Sequence, residues 1–574
     1  MVAQSGWLKG MNPTTSIVAK VVIFVFVLYA IISSGTNWLP EGWGATPVFE
    51  SVRWWISSSL KWFYVGLVAF ILFFAIWMGL SKFGNIRLGD DDDRPEFSYF
   101  SWFAMLFGAG MGIGLMFWSI GEPMYHWANA GPGWNPHIAE GLSKEGATGA
   151  MTVTFFHWGL HPWAIYVVVA LTLDYCGYRR KEGLTISASL APFVGSGVKS
   201  KWGHAVDILA VFGTTFGVAT SLGLGVQQIA TGMYSLTGLD MFVSTADDGS
   251  TTPNTTAMVI LIALITGAAV TSAVTGVGKG IRILSELNLW LSVAILVFLM
   301  VWGPTGYIIN TFLQTSGDYI ARVIPMSFYT QANEAFTEKD WQGWWTVFYW
   351  GWWISWSPFV GMFIARISRG RTIRDFVGGV LIVPTILTFI WLSLFGGTAL
   401  FLELFHETVN EAGETVAAVG EAGIVEATKQ DVTKALYTTF DILGRESNVI
   451  GAGFVTEIFT VVATVLIITY FVTSSDSGTL VITTLLSDGD DDPPSAHRII
   501  WGVTEGGIAA ILLILGGLNA LQTAAITAAL PFSVVMIFMM VGLVKALNQE
   551  HIPGYSETGH RVHGGLSDDA QGPQ

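Results

Sequence analysis

Long apolar runs recur along this chain and limit what it can fold into. The first of them, Ile17–Ser33, is long enough to cross a bilayer as a helix, and no small-residue cleavage site clearly follows it. The runs are continuous rather than alternating, which argues against the strands of a membrane barrel. With 52% hydrophobic and 12% charged residues over 574 positions, the composition also excludes an ordinary soluble protein. The sequence therefore predicts an all-α membrane protein.

Twelve of these runs are predicted to span the membrane. Their approximate ranges are residues 15–34, 57–82, 98–120, 148–174, 203–233, 255–276, 281–303, 341–367, 374–401, 450–475, 496–517 and 520–547. Lys and Arg concentrate in alternate connections, near residues 82–94, 179–201, 279–282 and 366–374. Because positively charged connections face the cytoplasm, we expect both termini to be cytoplasmic in a multi-pass protein of the cell membrane.

Three tryptophans lie close together in the predicted eighth span. Trp352, Trp353 and Trp356 occur at positions i, i+1 and i+4, so on a helix they lie side by side. Tryptophan is normally enriched at the bilayer interfaces, where its N–H stays hydrated. Converging π-faces can instead hold a cation without hydrogen-bond donors, such as a quaternary ammonium. The alternative is that these are lipid-facing or packing aromatics in a chain with 25 Trp.

The third predicted span contains glycine at alternate positions, Gly108, Gly110, Gly112 and Gly114, and ends at Glu122. Each glycine lowers helix stability by about 1 kcal/mol relative to alanine. One interpretation is close helix packing through small residues. The density of glycine favours a broken helix beside a cavity, where free carbonyls can hold a cation and free N–H groups an anion.

The fourth predicted span carries a second aromatic group. Trp158, Trp163 and Tyr166 are expected on one broad face of the helix, with Pro162 allowing a kink. Packing in the core is the alternative for aromatics at helical spacing.

The same span contains two histidines four residues apart, His157 and His161. They could form a metal pair or a proton relay, but no third ligand is visible and we favour a packing role. The single cysteine, Cys176, excludes an intrachain disulfide and a cysteine-based metal site.

Acidic residues concentrate in the connections, and the chain has a formal net charge of −15. The runs Asp90–Asp93 and Asp488–Asp492 lack the alternating spacing and glycine of an EF-hand calcium loop. We therefore expect a solvated acidic surface there.

Three segments lie outside the predicted spans. Thr305–Phe328 has apolar residues at near-helical spacing but is too polar to span, which indicates an interfacial amphipathic helix or, alternatively, an extracellular loop. Residues 403–435 read as an extracellular insertion of low complexity. Residues 548–574 are rich in Gly, Ser, Pro and Gln and are expected to be a disordered cytoplasmic tail.

The run Trp345–Phe359 resembles the signature of the betaine/choline/carnitine transporter family. Further stretches resemble other motifs of that family in the expected order, namely Gly108–Pro123, Phe156–Trp158, Arg366–Asp375 and Phe471–Ser477. Trp344 departs from the pattern, since the family usually has a small or polar residue there. The resemblance covers nearly the whole chain.

The resemblance implies a homotrimer of twelve-span chains with a leucine-transporter-like inverted repeat of five plus five helices and alternating access. The domains would then be residues 1–97 with two extra N-terminal helices, 98–304 as the first repeat, 305–328 as the interfacial helix, 329–547 as the second repeat with the insertion 403–435, and 548–574 as the tail. A small-molecule substrate, sodium and lipid would be the partners, with no nucleic acid, no cofactor and no enzymatic activity.

Carried over residue by residue, the family pattern implies two sets of binding positions. The substrate-binding positions would be Trp158, Trp163, Tyr166, Trp352, Trp353 and Trp356, with Ala109, Gly110, Met111 and Ile113 of the glycine run. The sodium ligands would be Gly108, Met111, Tyr470, Thr473 and Ser474, with a possible second sodium near Phe359 and a hydroxyl of Thr215, Thr220 or Ser221.

A zwitterion such as glycine betaine fits these expectations best. Its methylated cation suits the tryptophans, and its carboxylate could accept from backbone N–H groups near Gly110–Gly114. Choline would benefit from an acidic residue in the glycine run, where this chain has Gly114. Choline, ectoine or sulfonium uptake and sodium-independent carnitine-type exchange remain alternatives. A channel would need a continuous polar pore, which an aromatic box would block.

Overall fold

The computed structural model describes residues 6, 8–35, 44–128, 135–195, 200–247, 249–275, 282–333, 340–409, 414–446, 452–490 and 492–550. The side chains of residues 33–35, 45–46, 107–111, 282, 446, 452 and 516–519 are outside that description. The α-helices are α1 (Pro13–Gly35), α2 (Ala45–Ser59), α3 (Lys61–Leu80), α4 (Tyr99–Ala128), α5 (Lys144–Trp158), α6 (Leu160–Asp174), α7 (Ile186–Ser189), α8 (Ala191–Val194), α9 (Lys201–Thr237), α10 (Thr255–Thr275), α11 (Arg282–Trp302), α12 (Thr305–Ser327), α13 (Trp341–Trp344), α14 (Thr346–Ser368), α15 (Ile373–Leu404), α16 (Ile424–Gln430), α17 (Lys434–Glu446), α18 (Ala452–Leu486) and α19 (Ser495–Leu547).

Strands are short and lie in connections. β1 (Val243–Thr245) pairs antiparallel with β2 (Thr251–Pro253), and β3 (Glu407–Val409) pairs antiparallel with β4 (Thr415–Ala417). Short 3-10 turns occur at Lys82–Asn85 and Asp240–Phe242, and a π-helical turn at Tyr175–Arg179 extends α6.

Ten helical stretches of the described chain are long and apolar enough to cross a membrane. They are α1, α3, α5 with α6, α9, α10, α11, α15, α18, and the stretches Ser495–Leu515 and Ala520–Leu547 of α19. The prediction of a helical membrane protein is confirmed. The two predicted spans that do not qualify correspond to α4 and to α13 with α14. In α4 the side chains of residues 107–111 are outside the described residues, and in α14 the tryptophans contribute little hydropathy.

The last two predicted spans both lie on α19. The predicted spans 496–517 and 520–547 correspond to the stretches Ser495–Leu515 and Ala520–Leu547, which qualify separately. The helical backbone of α19 nevertheless continues between them, from Ser495 to Leu547.

The kink that Pro162 allows is present, in the turn that precedes the proline. The break falls at Gly159, which has φ −86° and ψ −128° and separates α5 from α6. Pro162 lies in the first turn of α6, where a missing N–H costs no helical hydrogen bond. The Tyr319 hydroxyl accepts a hydrogen bond from the Leu160 N–H at 3.2 Å and so satisfies one donor that the break leaves free.

The helix α14 lies in the interior, packed against α3, α4, α6, α9, α18 and α19. Nearly all its residues are buried, including Trp352 and Trp353 at 0% exposure and Trp356 at 2%. The lipid-facing alternative for these tryptophans is therefore wrong.

Three connections that were predicted to share a side of the membrane meet in the structure. Arg179 donates to the carbonyls of Arg87 at 3.2 Å and Gly89 at 3.1 Å, and Leu88 N–H donates to the Arg371 carbonyl at 2.8 Å. Arg179 also pairs with Glu550, which follows α19 directly, at 3.0 Å. The end of α19 therefore lies on the same face as these connections.

The acidic runs interact with neighbouring parts of the chain. In the first run, Asp90, Asp91 and Asp93 form ion pairs with Lys181, Arg179 and Arg369, respectively. In the second run, Asp488 accepts from Asn12 Nδ2 at 2.8 Å, and Asp492 pairs with Arg498. Carboxylates in both runs remain exposed, as expected for a solvated surface, with the Asp91 side chain at 82% and the Asp492 side chain at 92% exposure, and basic side chains of neighbouring elements pair with them.

The two segments outside the predicted spans both contain regular structure. The helix α12 covers Thr305–Ser327, over the stretch where the amphipathic helix was expected. The insertion 403–435 contains the β3–β4 hairpin, α16 and the start of α17. Buried Glu403 anchors it by accepting from Ala422 N–H at 3.0 Å and Val425 N–H at 2.7 Å. Of the tail 548–574, only 548–550 lies within the described residues.

Candidate functional site

Four indoles form a compact aromatic group, which we call the indole cluster: Trp158, Trp352, Trp353 and Trp356. The rings of Trp352 and Trp353 are stacked with centroids 4.7 Å apart, and Trp356 lies 6.3 Å from Trp352. Trp158, at the end of α5, meets Trp353 edge-on at 4.9 Å. The break after Trp158 lets this ring reach α14. The structure thus brings together four of the six predicted aromatic residues.

A glycine of α4 makes room for the cluster. A β-carbon at Gly114 would lie 2.7 Å from Trp352 Cη2 and 3.1 Å from Trp158 Cη2. Both separations are shorter than normal contact distances, so only glycine fits without displacing a ring. The glycine run therefore lies against the indole cluster, and the prediction that the two stretches form one site is supported at this position.

Trp163 and Tyr166 form a separate edge-to-face pair on α6, with centroids 5.7 Å apart. Their helix packs directly against α14. Both side chains are fully buried. Among the described residues neither ring makes a contact with the indole cluster, so the pair flanks the cluster instead of joining it.

Four buried donors on α6 and α14 have no hydrogen-bond partner in the described part of the chain. They are the indole N–H groups of Trp163, Trp352 and Trp356 and the hydroxyl of Tyr166. A buried polar group without a partner costs about 1–3 kcal/mol. These four groups are able to donate hydrogen bonds to a ligand that accepts them.

The other side of the cluster is fully bonded. Trp353 Nε1 donates to the His157 carbonyl at 3.1 Å, which the break after α5 leaves without its helical partner. Trp158 Nε1 donates to Glu122 Oε2 at 2.7 Å. These two hydrogen bonds fix the orientation of the Trp158 and Trp353 rings.

Glu122 was not among the predicted site residues. It is fully buried and receives hydrogen bonds from His157 Nδ1 at 2.6 Å, Trp158 and the Tyr349 hydroxyl. The Tyr349 ring lies 5.8 Å from Trp353 and extends the aromatic surface. The sequence did contain a clue, because an ionisable residue within an apolar span is functional more often than not.

The predicted break in the glycine run is not present. The helix α4 is continuous from Tyr99 to Ala128, and an N–H inside an α-helix bonds the carbonyl four residues earlier. The Ile113 N–H is therefore not free for a substrate. The side chains of Gly108, Ala109, Gly110 and Met111 lie outside the described residues.

The glycine run and α18 are in contact, as the predicted sodium site requires. A β-carbon at Gly112 would lie 2.9 Å from the Tyr470 ring. The Thr473 hydroxyl bonds back to the carbonyls of Thr469 at 3.1 Å and Tyr470 at 3.2 Å, and it accepts from Asn288 Nδ2 at 3.0 Å. Ser474 is half-buried on the next position of the helix.

The proposed surroundings of a second sodium are assembled only in part. Phe359 lies 5.7 Å from Trp356, and a β-carbon at Gly217 of α9 would lie 3.2 Å from the Trp356 ring. Thr215, Thr220 and Ser221 bond to carbonyls of their own helix. The hydroxyl of their neighbour Thr214 is buried and has no partner among the described residues, and sequence reasoning overlooked it.

The chain is similar to known transporters along most of its length. The sequence model of the betaine/carnitine/choline family of transporters matches residues 14–552. An uncharacterized transporter of Mycobacterium tuberculosis is 41% identical over 548 residues, covering 94% of this chain and 83% of the relative. The glycine betaine transporter OpuD of Bacillus subtilis is 40% identical over 504 residues, covering 88% and 90% of the two chains. The osmo-dependent choline transporter BetT2 of Acinetobacter baylyi is 38% identical over 539 residues, covering 92% and 71%.

Proposed function

The chain belongs to the betaine/carnitine/choline family of transporters, and from this premise we propose that it imports glycine betaine, or a similar zwitterionic compatible solute, by sodium symport. As a member of that family it is a secondary transporter and not an enzyme. The observation that carries the substrate class is the buried indole cluster. A desolvated quaternary ammonium over an indole face gains about 2 kcal/mol, and four indoles lie close together here.

The carboxylate of the substrate is assigned to the four unpartnered donors of α6 and α14. Tyr166 and Trp163 lie on the helix that flanks the cluster, and both carry a buried donor. A carboxylate is an acceptor with no donors of its own, which matches a set made only of donors. This replaces the expectation that backbone N–H groups near Gly110–Gly114 bind it, because α4 is helical there.

Choline is the second candidate, because a relative of comparable identity is named a choline transporter. Choline carries a hydroxyl where betaine carries a carboxylate. It would leave more of the four donors unsatisfied, and a buried unsatisfied donor is costly. We therefore place betaine before choline, and both before ectoine, sulfonium compounds and carnitine.

Sodium coupling is supported by the contact between α4 and α18. Hydroxyl and carbonyl oxygens are the ligands that hard monovalent cations prefer. Thr473, Ser474 and the Tyr470 carbonyl lie on the part of α18 that touches Gly112. We assign the first sodium to these groups together with Gly108 and Met111, and a second sodium to the region of Phe359.

The wider architecture follows from the same premise. We propose twelve spans, two inverted repeats at residues 98–304 and 329–547, alternating access, a homotrimer in the cell membrane and a role in osmoprotection. We also propose cytoplasmic termini. The shared face of the basic connections and the end of α19 supports that orientation, because the connections carry Lys and Arg.

Uptake into proteoliposomes tests the proposal. Radiolabelled glycine betaine should accumulate above its external concentration when sodium is high outside, and accumulation should stop when choline-free potassium buffer replaces the sodium. Choline, ectoine, carnitine and a sulfonium betaine, tested as competitors, establish the substrate order. Accumulation without a sodium gradient would contradict symport, and rapid downhill flux that does not saturate would indicate a channel.

A double variant tests the ion site within the same assay. Replacing Thr473 and Ser474 by alanine should raise the sodium concentration needed for half-maximal uptake by about tenfold, the effect of roughly 1.4 kcal/mol, while changing betaine affinity less at saturating sodium. An unchanged sodium response would place the coupling ion elsewhere.

A further inference from the structure

A buried carboxyl group, that of Glu122, lies directly behind the indole cluster. Glu122 is 0% exposed, and its carboxylate accepts hydrogen bonds from three groups: His157 Nδ1, Trp158 Nε1 and the Tyr349 hydroxyl. His126 Nε2 is a fourth neighbour at 3.3 Å. Several donors that converge on one carboxylate stabilise its ionised form.

The histidine contacts fit this charge state. His157 Nδ1 faces Glu122, while its Nε2 faces the Thr346 hydroxyl at 3.0 Å. A neutral imidazole can donate from one nitrogen and accept at the other, so His157 can donate to Glu122 and accept from Thr346 without carrying a charge. None of the hydrogen-bond partners of Glu122 in the described part of the chain is Lys or Arg.

A metal site is the competing explanation for these groups. One ligand atom each of Glu122, His126 and His157 lies within 4.8 Å of the others. However, Glu122 Oε2 is occupied by Trp158 Nε1 and the Tyr349 hydroxyl, and an indole N–H is a donor that cannot coordinate a metal. Both oxygens of Glu122 and both ring nitrogens of His157 have hydrogen-bond partners without an ion, whereas His126 Nδ1 has none among the described residues.

The geometry points to a specificity role for Glu122, and we propose that its charge, acting through Trp158, makes the indole cluster select cationic head groups. This inference rests on the proposed function, in which a quaternary ammonium enters the cluster. Glu122 is a positioning residue, since it reaches the substrate only through Trp158 and Tyr349.

Two physical effects act in the same direction. An N–H that donates to a carboxylate pushes electron density into the indole ring, and a more negative ring face attracts a cation more strongly. The charge itself also acts across the width of one ring, because the site is buried and water does not screen it. Both effects act at the centre of the cluster, because the Trp158 ring lies 4.9 Å from the Trp353 ring and 6.2 Å from the Trp352 ring.

The test compares glycine betaine with 3,3-dimethylbutanoate, which has the same shape but a neutral tert-butyl group in place of the trimethylammonium. Dissociation constants of both compounds are measured by tryptophan fluorescence on the full-length protein and on Glu122→Gln. We expect Glu122→Gln to weaken betaine about tenfold and to leave the neutral-headed analogue unchanged or tighter. The betaine preference should therefore fall by about tenfold or more.

Two further variants separate charge from structure. Glu122→Asp keeps the charge and should retain most of the betaine preference. Thr346→Val removes the partner of His157 Nε2 but no charge, so it should leave the ratio of the two constants unchanged. If the analogue binds too weakly to measure, the two variants are compared by betaine binding alone. Betaine binding that is retained in Glu122→Asp but weakened in Glu122→Gln would show that the charge is responsible.

A parallel loss of both ligands in Glu122→Gln would contradict the inference, because it would show that Glu122 only maintains the fold of the site. An unchanged ratio with unchanged affinities would contradict it too. Loss of activity on treatment with a metal chelator would overturn it in favour of the metal site. Absence of saturable betaine binding to the unaltered protein would instead contradict the proposed function, and this inference with it.

Discussion

At the scale of single residues, the site divides into two chemically different parts. The indole cluster presents π-faces and suits a methylated cation, whereas Tyr166 and Trp163 present donors that suit an anion. The two parts lie on packed helices, α14 and α6. A zwitterion can satisfy both parts at once, which neither a simple cation nor a simple anion can do.

The cation part is tested by Trp356→Leu. This change removes one indole face, worth about 2 kcal/mol when desolvated, but keeps an apolar side chain in the space. Betaine affinity should fall by roughly 30-fold, since about 1.4 kcal/mol is tenfold. The thermal midpoint of the purified protein should change little. Betaine uptake with an unaltered half-saturation concentration would remove Trp356 from the site.

The anion part is tested by Tyr166→Phe, which removes only the unpartnered hydroxyl. A lost hydrogen bond to a charged group is worth about 1.5–3 kcal/mol, so betaine affinity should fall by at least tenfold. Tetramethylammonium has no carboxylate, and its competition constant should stay within about twofold. Equal losses for both ligands would show that the hydroxyl does not contact the carboxylate.

The residues of the cluster could be predicted from sequence because their relationship is local. Trp352, Trp353 and Trp356 lie within little more than one helical turn, so spacing alone places them together. The contacts of Glu122 could not be predicted in this way. Trp158 is 36 residues and Tyr349 is 227 residues away from it, and only the packing of three helices brings them into contact.

At the scale of elements, the break between α5 and α6 positions the site. It turns Trp158 toward α14 and frees the His157 carbonyl to hold Trp353. The sequence indicated this distortion through Pro162, which has no N–H to donate to the Trp158 carbonyl one turn earlier. The hydrogen bond from Leu160 N–H to the Tyr319 hydroxyl could not be predicted, because the two residues are far apart in the sequence.

Gly159→Ala tests the importance of this break. The new β-carbon would lie 2.6 Å from the Phe155 carbonyl oxygen and 3.0 Å from the Tyr319 hydroxyl, so the backbone would have to move. We expect a lower thermal midpoint and weaker betaine binding. Gly267→Ala in α10 is the matched control, because nothing lies within 4 Å of its β-carbon, and it should be neutral or slightly stabilising. Equal midpoints for the two variants would contradict the argument.

At the scale of the whole molecule, ion pairs join the connections on one face. Asp93 pairs with Arg369 at 3.1 Å, and the hydrogen bond with Arg369 holds the pKa of the Asp93 carboxyl below its usual range. A carboxyl whose pKa is lower in the folded state stabilises that state above its unfolded pKa of about 4. The stabilisation is lost as the pH falls through the lowered folded value.

The lowered pKa of Asp93 predicts how the stability of this connection depends on pH. Backbone amides of residues 87–94, followed by hydrogen exchange corrected for intrinsic rates, should keep their protection from pH 8 to pH 5 and lose it below about pH 4. Arg369→Gln should reduce the protection already at neutral pH, since Asp93 loses its partner. If protection falls between pH 7 and pH 5 in the unaltered protein, a group other than this carboxyl controls the connection.

The acidic tail provides the last test at this scale. After Leu547 the chain has Arg561 as its single Lys or Arg, together with Glu550, Glu557, Asp568 and Asp569. Each basic residue near an anionic membrane surface contributes about 1 kcal/mol of attraction. A tail with a single Arg should therefore bind such a membrane poorly. We therefore expect deletion of residues 553–574 to leave both basal betaine uptake and any osmotic stimulation nearly unchanged.

Glu550 separates the effect of the tail from that of its anchor. Its carboxylate accepts hydrogen bonds from Tyr175 at 2.9 Å and Arg179 at 3.0 Å, and Arg179 also contacts Gly89 of a neighbouring connection. A deletion that starts at residue 548 removes this link between α19 and the α6 end, whereas one that starts at 553 keeps it. Uptake measured in liposomes of matched lipid composition should thus fall for the longer deletion and for Glu550→Ala, but not for the shorter deletion. Loss of osmotic stimulation in the shorter deletion would show that the tail senses by means other than charge.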